Sequence, residues 1–173
     1  MQTLMVLIAA FAMALAIMKL HTKEFRVSSA ARVAISLMFL FTGISHFIFT
    51  EGMTMMLFPF IPIKTEVIYI TGLLEIVFSI EFLFPKTRKY AGYASIAFLV
   101  ALLPSNIYAA INHIDPAGAD FTGPGVEYLW IRIPLQLLFI FWIYRFIIMA
   151  RPSASKKKSA NMFNVQKNNY QIQ

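Results

Sequence analysis

Residues 69–84, YITGLLEIVFSIEFLF, form an apolar run that is interrupted by two glutamates. Apolar stretches of about 20 residues match the roughly 30 Å hydrocarbon layer of a bilayer, so this run predicts a membrane-spanning helix. An acid at the centre of such a helix costs about 2.5–3.5 kcal/mol on insertion scales. Glu75 lies at that centre, and its position predicts a polar partner inside a helical bundle.

The composition of the whole chain supports a membrane protein. Of the 173 residues, 59% are hydrophobic and 13% are charged, which exceeds the roughly half-apolar composition of soluble domains. Cysteine is absent, which excludes disulfides, thiolate metal sites and a dithiol relay carried by the chain itself. The net charge of +7 comes from basic residues in the links and the tail, so it predicts membrane lipids as partners and no nucleic acid.

The distribution of lysine and arginine predicts the orientation. The first link, the third link and the tail are rich in these residues, the second link has Lys64 alone, and the fourth has none. By the positive-inside rule, the N-terminus lies outside and the C-terminus in the cytoplasm of a bacterial inner membrane. Five spans are predicted, with approximate bounds Gln2–Leu20, Ala30–Thr50, Glu66–Phe84, Tyr90–Ile111 and Tyr128–Ala150.

These spans predict an all-α fold, a polytopic transmembrane helical bundle, in three parts. Residues 1–29 form an N-terminal transmembrane helix with a basic loop, 30–150 a four-helix membrane domain, and 151–173 a disordered basic tail. The first segment is expected to be a retained helix, because it lacks the basic n-region of a signal peptide, and a cleaved signal peptide stays the alternative.

Five polar residues fall on helix faces that favour protein contact, at mid-membrane or in the outer half. Glu75 shares its face with small or weakly polar residues, which let helices approach closely. We expect Glu75 to be held by Arg132, directly or through Gln136 or water. Together with Asn106 and His46, these residues are predicted to line a pocket that opens to the outside.

Simpler interpretations of the same residues stay open. Arg132 can extend to the outer headgroups, a protonated Glu75 can serve as structural glue between helices, and His46 alone is typical of an interfacial or satisfied histidine. No metal site is predicted, because His46 and His113 have no adjacent acid at ligand spacing. No catalytic residue is predicted either.

Four motifs, taken in order, resemble the DoxX-like family of small membrane proteins over about residues 30–150. They are ARVAISLMFLFTGISHF (31–47), YITGLLEI (69–76), LLPSNIYAAINH (102–113) and YLWIRIPLQLLFIFW (128–142). The resemblance implies a four-helix transmembrane bundle, with the N-terminal helix outside the family pattern, and some relatives are associated with thiosulfate:quinone oxidoreductase. The positions that match the recurrent polar and glycine residues of the family are Arg32, Gly43, His46, Gly72, Glu75, Asn106, Arg132 and Gln136.

The first functional hypothesis is an auxiliary membrane subunit that binds a lipophilic redox molecule, with a quinone as the natural candidate. The chain has no Fe–S, haem-pair or dinucleotide motif, so a partner oxidoreductase would carry the electron chemistry. The alternatives are a structural scaffold whose buried Glu–Arg pair fixes helix assembly and, with less support, a pathway for small solutes or anions. The oligomeric state is left open.

Overall fold

The computed structural model describes residues 2–23 and 25–150, and these are helical apart from their links. The helices are α1 (Gln2–Thr22), α2 (Val27–Ile48), α3 (Thr50–Met55), α4 (Lys64–Glu81), α5 (Arg88–Ile111) and α6 (Leu129–Ile143). A 3₁₀ turn, Val126–Tyr128, leads into α6, and a π-helical turn, Tyr144–Ile148, follows it. The predicted all-α fold is confirmed for this part of the chain, and the predicted tail, residues 151–173, lies outside it.

Four helical segments are long and apolar enough to cross a membrane: Gln2–His21, Val27–Ile48, Arg88–Ile111 and Val126–Ile148. They coincide with four of the five predicted spans. The helix that covers the remaining predicted span is α4, which has 18 residues and carries Lys64, Glu66, Glu75 and Glu81. The prediction of a membrane protein is therefore supported, and five crossings stay a prediction.

Helices α2 and α4 pack closely and run antiparallel. The Ser36 hydroxyl donates to the Ser79 carbonyl, and a Cβ placed on Gly43 would lie only 2.9 Å from the Gly72 carbonyl oxygen. Residue numbers rise along α2 as they fall along α4, which fixes the direction of the pair. The two glycines lie at the point of closest approach, because any side chain there would hold the backbones apart.

One apolar cluster joins α1 to the rest of the bundle. Leu7 of α1 and Phe39 of α2 are fully buried in it with Ile143 of α6. The Trp142 ring packs edge-on against Phe11 of α1 at 5.3 Å between ring centroids. Helix α1 is therefore part of the same hydrophobic core as the predicted four-helix domain.

The links gather at two opposite ends of the bundle. At one end, a Cβ on Gly52 would overlap the Pro116 carbonyl, and the Phe58 and Tyr108 rings lie 4.9 Å apart. At the other end, Arg88 Nη2 donates to the Ala150 carbonyl at 2.9 Å. Helix α4 leaves the first end and leads to the second.

The link between α5 and α6 is ordered by its own acidic side chains. The Asp115 carboxylate accepts the backbone N–H groups of Ala117 and Gly118 at 3.1 and 3.2 Å. Asp120 accepts the Thr122 hydroxyl at 2.6 Å and the Thr122 N–H at 2.9 Å. Together these two hydrogen bonds hold the pKa of the Asp120 carboxyl below its usual range, and the bond from the Thr122 hydroxyl has the larger effect.

Trp142 supplies a first test of the packing, because its Nε1–H donates to the Ala31 carbonyl at 3.0 Å and so ties α6 to α2. Trp142→Phe keeps an aromatic ring and removes this bond. We expect it to lower the free energy of unfolding in detergent micelles by about 1 kcal/mol. Trp130→Phe is the matched control, since Trp130 is 86% exposed. Equal stability of the two variants would contradict the contact.

Candidate functional site

Glu75 is buried where α4 meets α2, as its helical face predicted. It is 6% exposed, and its Oε2 atom lies 3.7 Å from Nε2 of His46. This Oε2 atom is inaccessible to solvent and has no hydrogen-bond partner among the described residues. The carboxyl group therefore depends on the His46 ring for charge or proton compensation.

The other ring nitrogen of His46 is held by α4. Nδ1 lies 3.2 Å from the Ile68 carbonyl oxygen and 3.1 Å from the Thr71 hydroxyl. Because Thr71 itself donates to the Ile68 carbonyl at 2.9 Å, both neighbours of Nδ1 are acceptors. A carbonyl oxygen only accepts, so this contact assigns a proton to Nδ1 and turns Nε2 toward Glu75.

Glycine at position 72 lets the His46 ring reach α4 at this depth. A Cβ on Gly72 would lie 2.7 Å from the His46 Cβ and 3.0 Å from the Gly43 carbonyl oxygen. These distances are shorter than normal contacts, so a larger residue would push α2 away from α4. The histidine and the glutamate meet because the two glycines permit this separation.

Arg132 belongs to a second polar group, between α5 and α6. Its Nη2 donates to the Asn106 Oδ1 atom at 2.6 Å, and its guanidinium lies 5.9 Å from the centre of the Tyr128 ring. Both Arg132 and Asn106 are half-buried. A guanidinium has five N–H donors, so most of them remain for acceptors other than Asn106.

Gln136 lies one turn further along α6 and binds the backbone of α5. Its Nε2 donates to the Leu99 carbonyl at 2.6 Å. Pro104 lies within α5 and has no N–H to donate to the Val100 carbonyl, which is the neighbour of Leu99. Gln136 therefore supports α5 next to the interruption that the proline causes.

The structure thus joins four of the five predicted residues in two separate pairs, His46 with Glu75 and Arg132 with Asn106, while Gln136 binds the Leu99 carbonyl. The sequence predicts that Glu75 is held by Arg132, directly or through Gln136 or water. Within the described residues no direct ion pair joins them, since Glu75 faces His46 and Arg132 donates to Asn106, and a link through Gln136 or water stays a prediction. The physical reason is the packing of the helices. The polar face of α4 packs on α2, whereas Arg132 of α6 lies against α5. The predicted shared pocket that opens to the outside is not tested by these contacts.

Sequence reasoning missed the backbone partners of these side chains. The carbonyls of Ile68 and Leu99 accept from His46 and Gln136, and a carbonyl has no residue-type signal. The pairing of His46 with Glu75 did have one, since both residues lie on small-residue faces of adjacent predicted spans, Glu75 at mid-membrane and His46 in the outer half. A surface pocket lies elsewhere, at the far end of α4, and is lined by Glu81, Phe84, Pro85, Lys86 and Thr87.

Comparison with known proteins gives one match. A family model described as "Domain of unknown function (DUF8561)" covers residues 35–147. No curated protein and no solved structure matches the chain. The matched segment contains both polar groups and most of α2, and it leaves out α1.

Proposed function

We propose a function for this chain, which belongs to the DUF8561 family of domains of unknown function: it is an auxiliary membrane subunit that binds a lipophilic, quinone-like redox molecule. A partner oxidoreductase would carry out the electron chemistry. The observation that carries the proposal is Arg132, a half-buried cation that is anchored by Asn106 and has no carboxylate within ion-pair distance among the described residues. The N–H groups that Asn106 and the Tyr128 hydroxyl leave over suit a neutral or anionic oxygen acceptor from outside the chain.

The types of side chain around Arg132 suit the binding of a quinone headgroup. Such a headgroup needs donors for its carbonyl oxygens and apolar surface for its ring and tail. Arg132 and the Asn106 amide supply donors, and the Tyr128 ring, whose centre lies 5.9 Å from the guanidinium, supplies apolar surface beside them. When bound, the quinone would accept electrons from the partner, or the quinol would give electrons to it, while this chain would bind and orient the molecule.

We further propose five membrane crossings in a bacterial cytoplasmic membrane, with the N-terminus outside. Helix α4 leads from one end of the bundle to the other, and 18 residues span about 27 Å, which approaches the hydrocarbon thickness. Lys64 and Glu66 lie in its first turn and Glu81 at its last residue, so Glu75 is its one charge at mid-depth. The basic links support this orientation, and the resemblance to the DoxX-like family belongs to the same proposal.

A structural scaffold is the second candidate, and one observation favours it. The glycine contact between α2 and α4 holds His46 and Glu75 in a buried interface, where polar pairs can fix how helices assemble. This function needs no ligand at Arg132. Arg132→Gln therefore distinguishes the two candidates. It removes a bound molecule if the chain is an auxiliary subunit, and it removes no ligand if the chain is a scaffold.

The test is to purify the protein from its native membrane in mild detergent and to identify the small molecules that are bound to it. We expect an extractable quinone-like molecule in the wild-type protein and at least tenfold less in Arg132→Gln, because losing a charge-assisted hydrogen bond costs about 1.5–3 kcal/mol. Arg145→Gln is the matched control, since this exposed arginine lies in the π-helical turn beyond α6. A wild-type protein with no more quinone than an unrelated protein from the same membrane would contradict the proposal.

A further inference from the structure

We infer that His46 and Glu75 together form a binding site for a single proton, buried between α2 and α4. The site is separate from the Arg132–Asn106 group, so the inference does not depend on the proposed quinone. It rests on which atoms face each other, on burial and on the lack of another charged partner among the described residues. The bound species is one proton, which resides either on the imidazole Nε2 or on the Glu75 carboxyl, whose Oε2 lies 3.7 Å away.

The contacts at Nδ1 leave Nε2 as the nitrogen that can change its protonation. Nδ1 faces two acceptors, the Ile68 carbonyl and the Thr71 oxygen, so it keeps its proton in every state of the ring. Nε2 faces Glu75 Oε2 at 3.7 Å. Both of these atoms carry a lone pair when unprotonated, so without a proton between them they repel each other.

Counting protons shows why a single one is favoured. With none, a carboxylate would lie unpaired in a buried site, which is strongly unfavourable. With two, an imidazolium would lie against a neutral acid and leave a net positive charge in the bundle. With one, the pair is either imidazolium and carboxylate or neutral imidazole and carboxylic acid, and both arrangements are neutral overall and complementary.

Other groups near the pair do not replace the proton. Thr42 also faces the Glu75 carboxyl, and its hydroxyl donates to the Phe39 carbonyl at 3.1 Å. Within residues 2–23 and 25–150, no charged side chain of another packed helix lies within ion-pair distance of His46 or Glu75. The charged or titratable positions of those helices include Lys19 and His21 of α1, Glu51 of α3, Arg88 and Lys89 of α5, and Arg132 of α6.

The pair lies toward one end of the bundle. His46 is two residues from the end of α2, where the chain leaves the helix for α3 and the link to α4. Exchange with water at that end therefore has a short path, while Oε2 itself is inaccessible to solvent. Such a site can hold a proton inside the bundle and exchange it on one side.

The test uses ¹⁵N-histidine NMR on a chain whose other two histidines are removed. The sequence has three histidines, and His21→Gln with His113→Asn leaves His46 alone; asparagine suits position 113 because its φ is +54°. We expect Nδ1 to stay protonated and the titration midpoint of Nε2 to move by at least one pH unit in Glu75→Gln. One unit is a tenfold change in proton binding.

Glu66→Gln is the matched control, because Glu66 is an exposed acid in the first turn of the same helix. An unchanged His46 titration in folded Glu75→Gln would overturn the inference. If Glu75→Gln does not fold, the inference is tested instead on protein that retains Glu75. Infrared spectroscopy follows its carboxyl groups, and a carboxyl band must then change with the same pH midpoint as His46 Nε2. Independent midpoints would overturn the inference.

Discussion

Gly72→Val is expected to destabilise the protein by about 3 kcal/mol or more. A Cβ at this position would lie 2.7 Å from the His46 Cβ and 3.0 Å from the Gly43 carbonyl oxygen. Neither atom is the end of a flexible side chain, so the strain is relieved by separating α2 from α4. Overpacking of this kind typically costs 1–3 kcal/mol, and loss of the helix contact adds to it.

The measurement is the free energy of unfolding in detergent micelles. Leu73→Val is the matched control, because it places the same β-branched side chain one residue away at a position that is 57% exposed. We expect Leu73→Val to differ from wild type by less than about 1 kcal/mol. Gly72→Val and Leu73→Val of equal stability would contradict the close approach of α2 and α4.

His46→Leu should cost about 3–5 kcal/mol, because it removes the one ion-pair partner that the described residues provide for Glu75. The second change Glu75→Gln should recover much of this loss, since the buried group can then no longer carry a charge. The measurement is a double-mutant cycle on the free energy of unfolding. Its coupling energy should exceed about 1.5 kcal/mol for residues in direct contact.

The same cycle with Arg132 separates the observed pairing from the one that the sequence suggested. Arg132→Gln combined with Glu75→Gln should give additive losses within about 0.5 kcal/mol, because Arg132 donates to Asn106 instead. A strong coupling of Glu75 to Arg132, together with none to His46, would restore the pairing predicted from sequence and contradict the contacts described above.

The sequence was sufficient for the helices and for the faces that they bury. The apolar runs predicted all five long helices to within a few residues, since hydropathy over 20 residues depends little on the neighbours. The small residues beside Glu75 predicted that its face meets protein, and Glu75 is buried with Gly72 and Ser79. The short helix α3, Thr50–Met55, was missed because it lies within a link of mixed composition.

The choice of helix neighbours was beyond the sequence. Counting residues along each span estimates how deep a side chain lies in the membrane. By this depth alone, both His46 and Arg132 could reach Glu75. The Gly43–Gly72 contact selects α2 as the neighbour of α4, and a single sequence does not show that these two glycines meet. The carbonyl partners Ile68 and Leu99 were equally hidden, because any residue type can supply a carbonyl.

Disulfide crosslinking in native membranes tests the central claim most directly, namely that α4 lies antiparallel to α2 and brings Glu75 to His46. The chain has no cysteine, so the introduced thiols are the only ones. We predict that Ser36→Cys with Ser79→Cys forms a disulfide readily, because the Ser36 hydroxyl contacts the Ser79 backbone. Failure of this pair, with ready crosslinking of Glu75→Cys to Arg132→Cys, would contradict it.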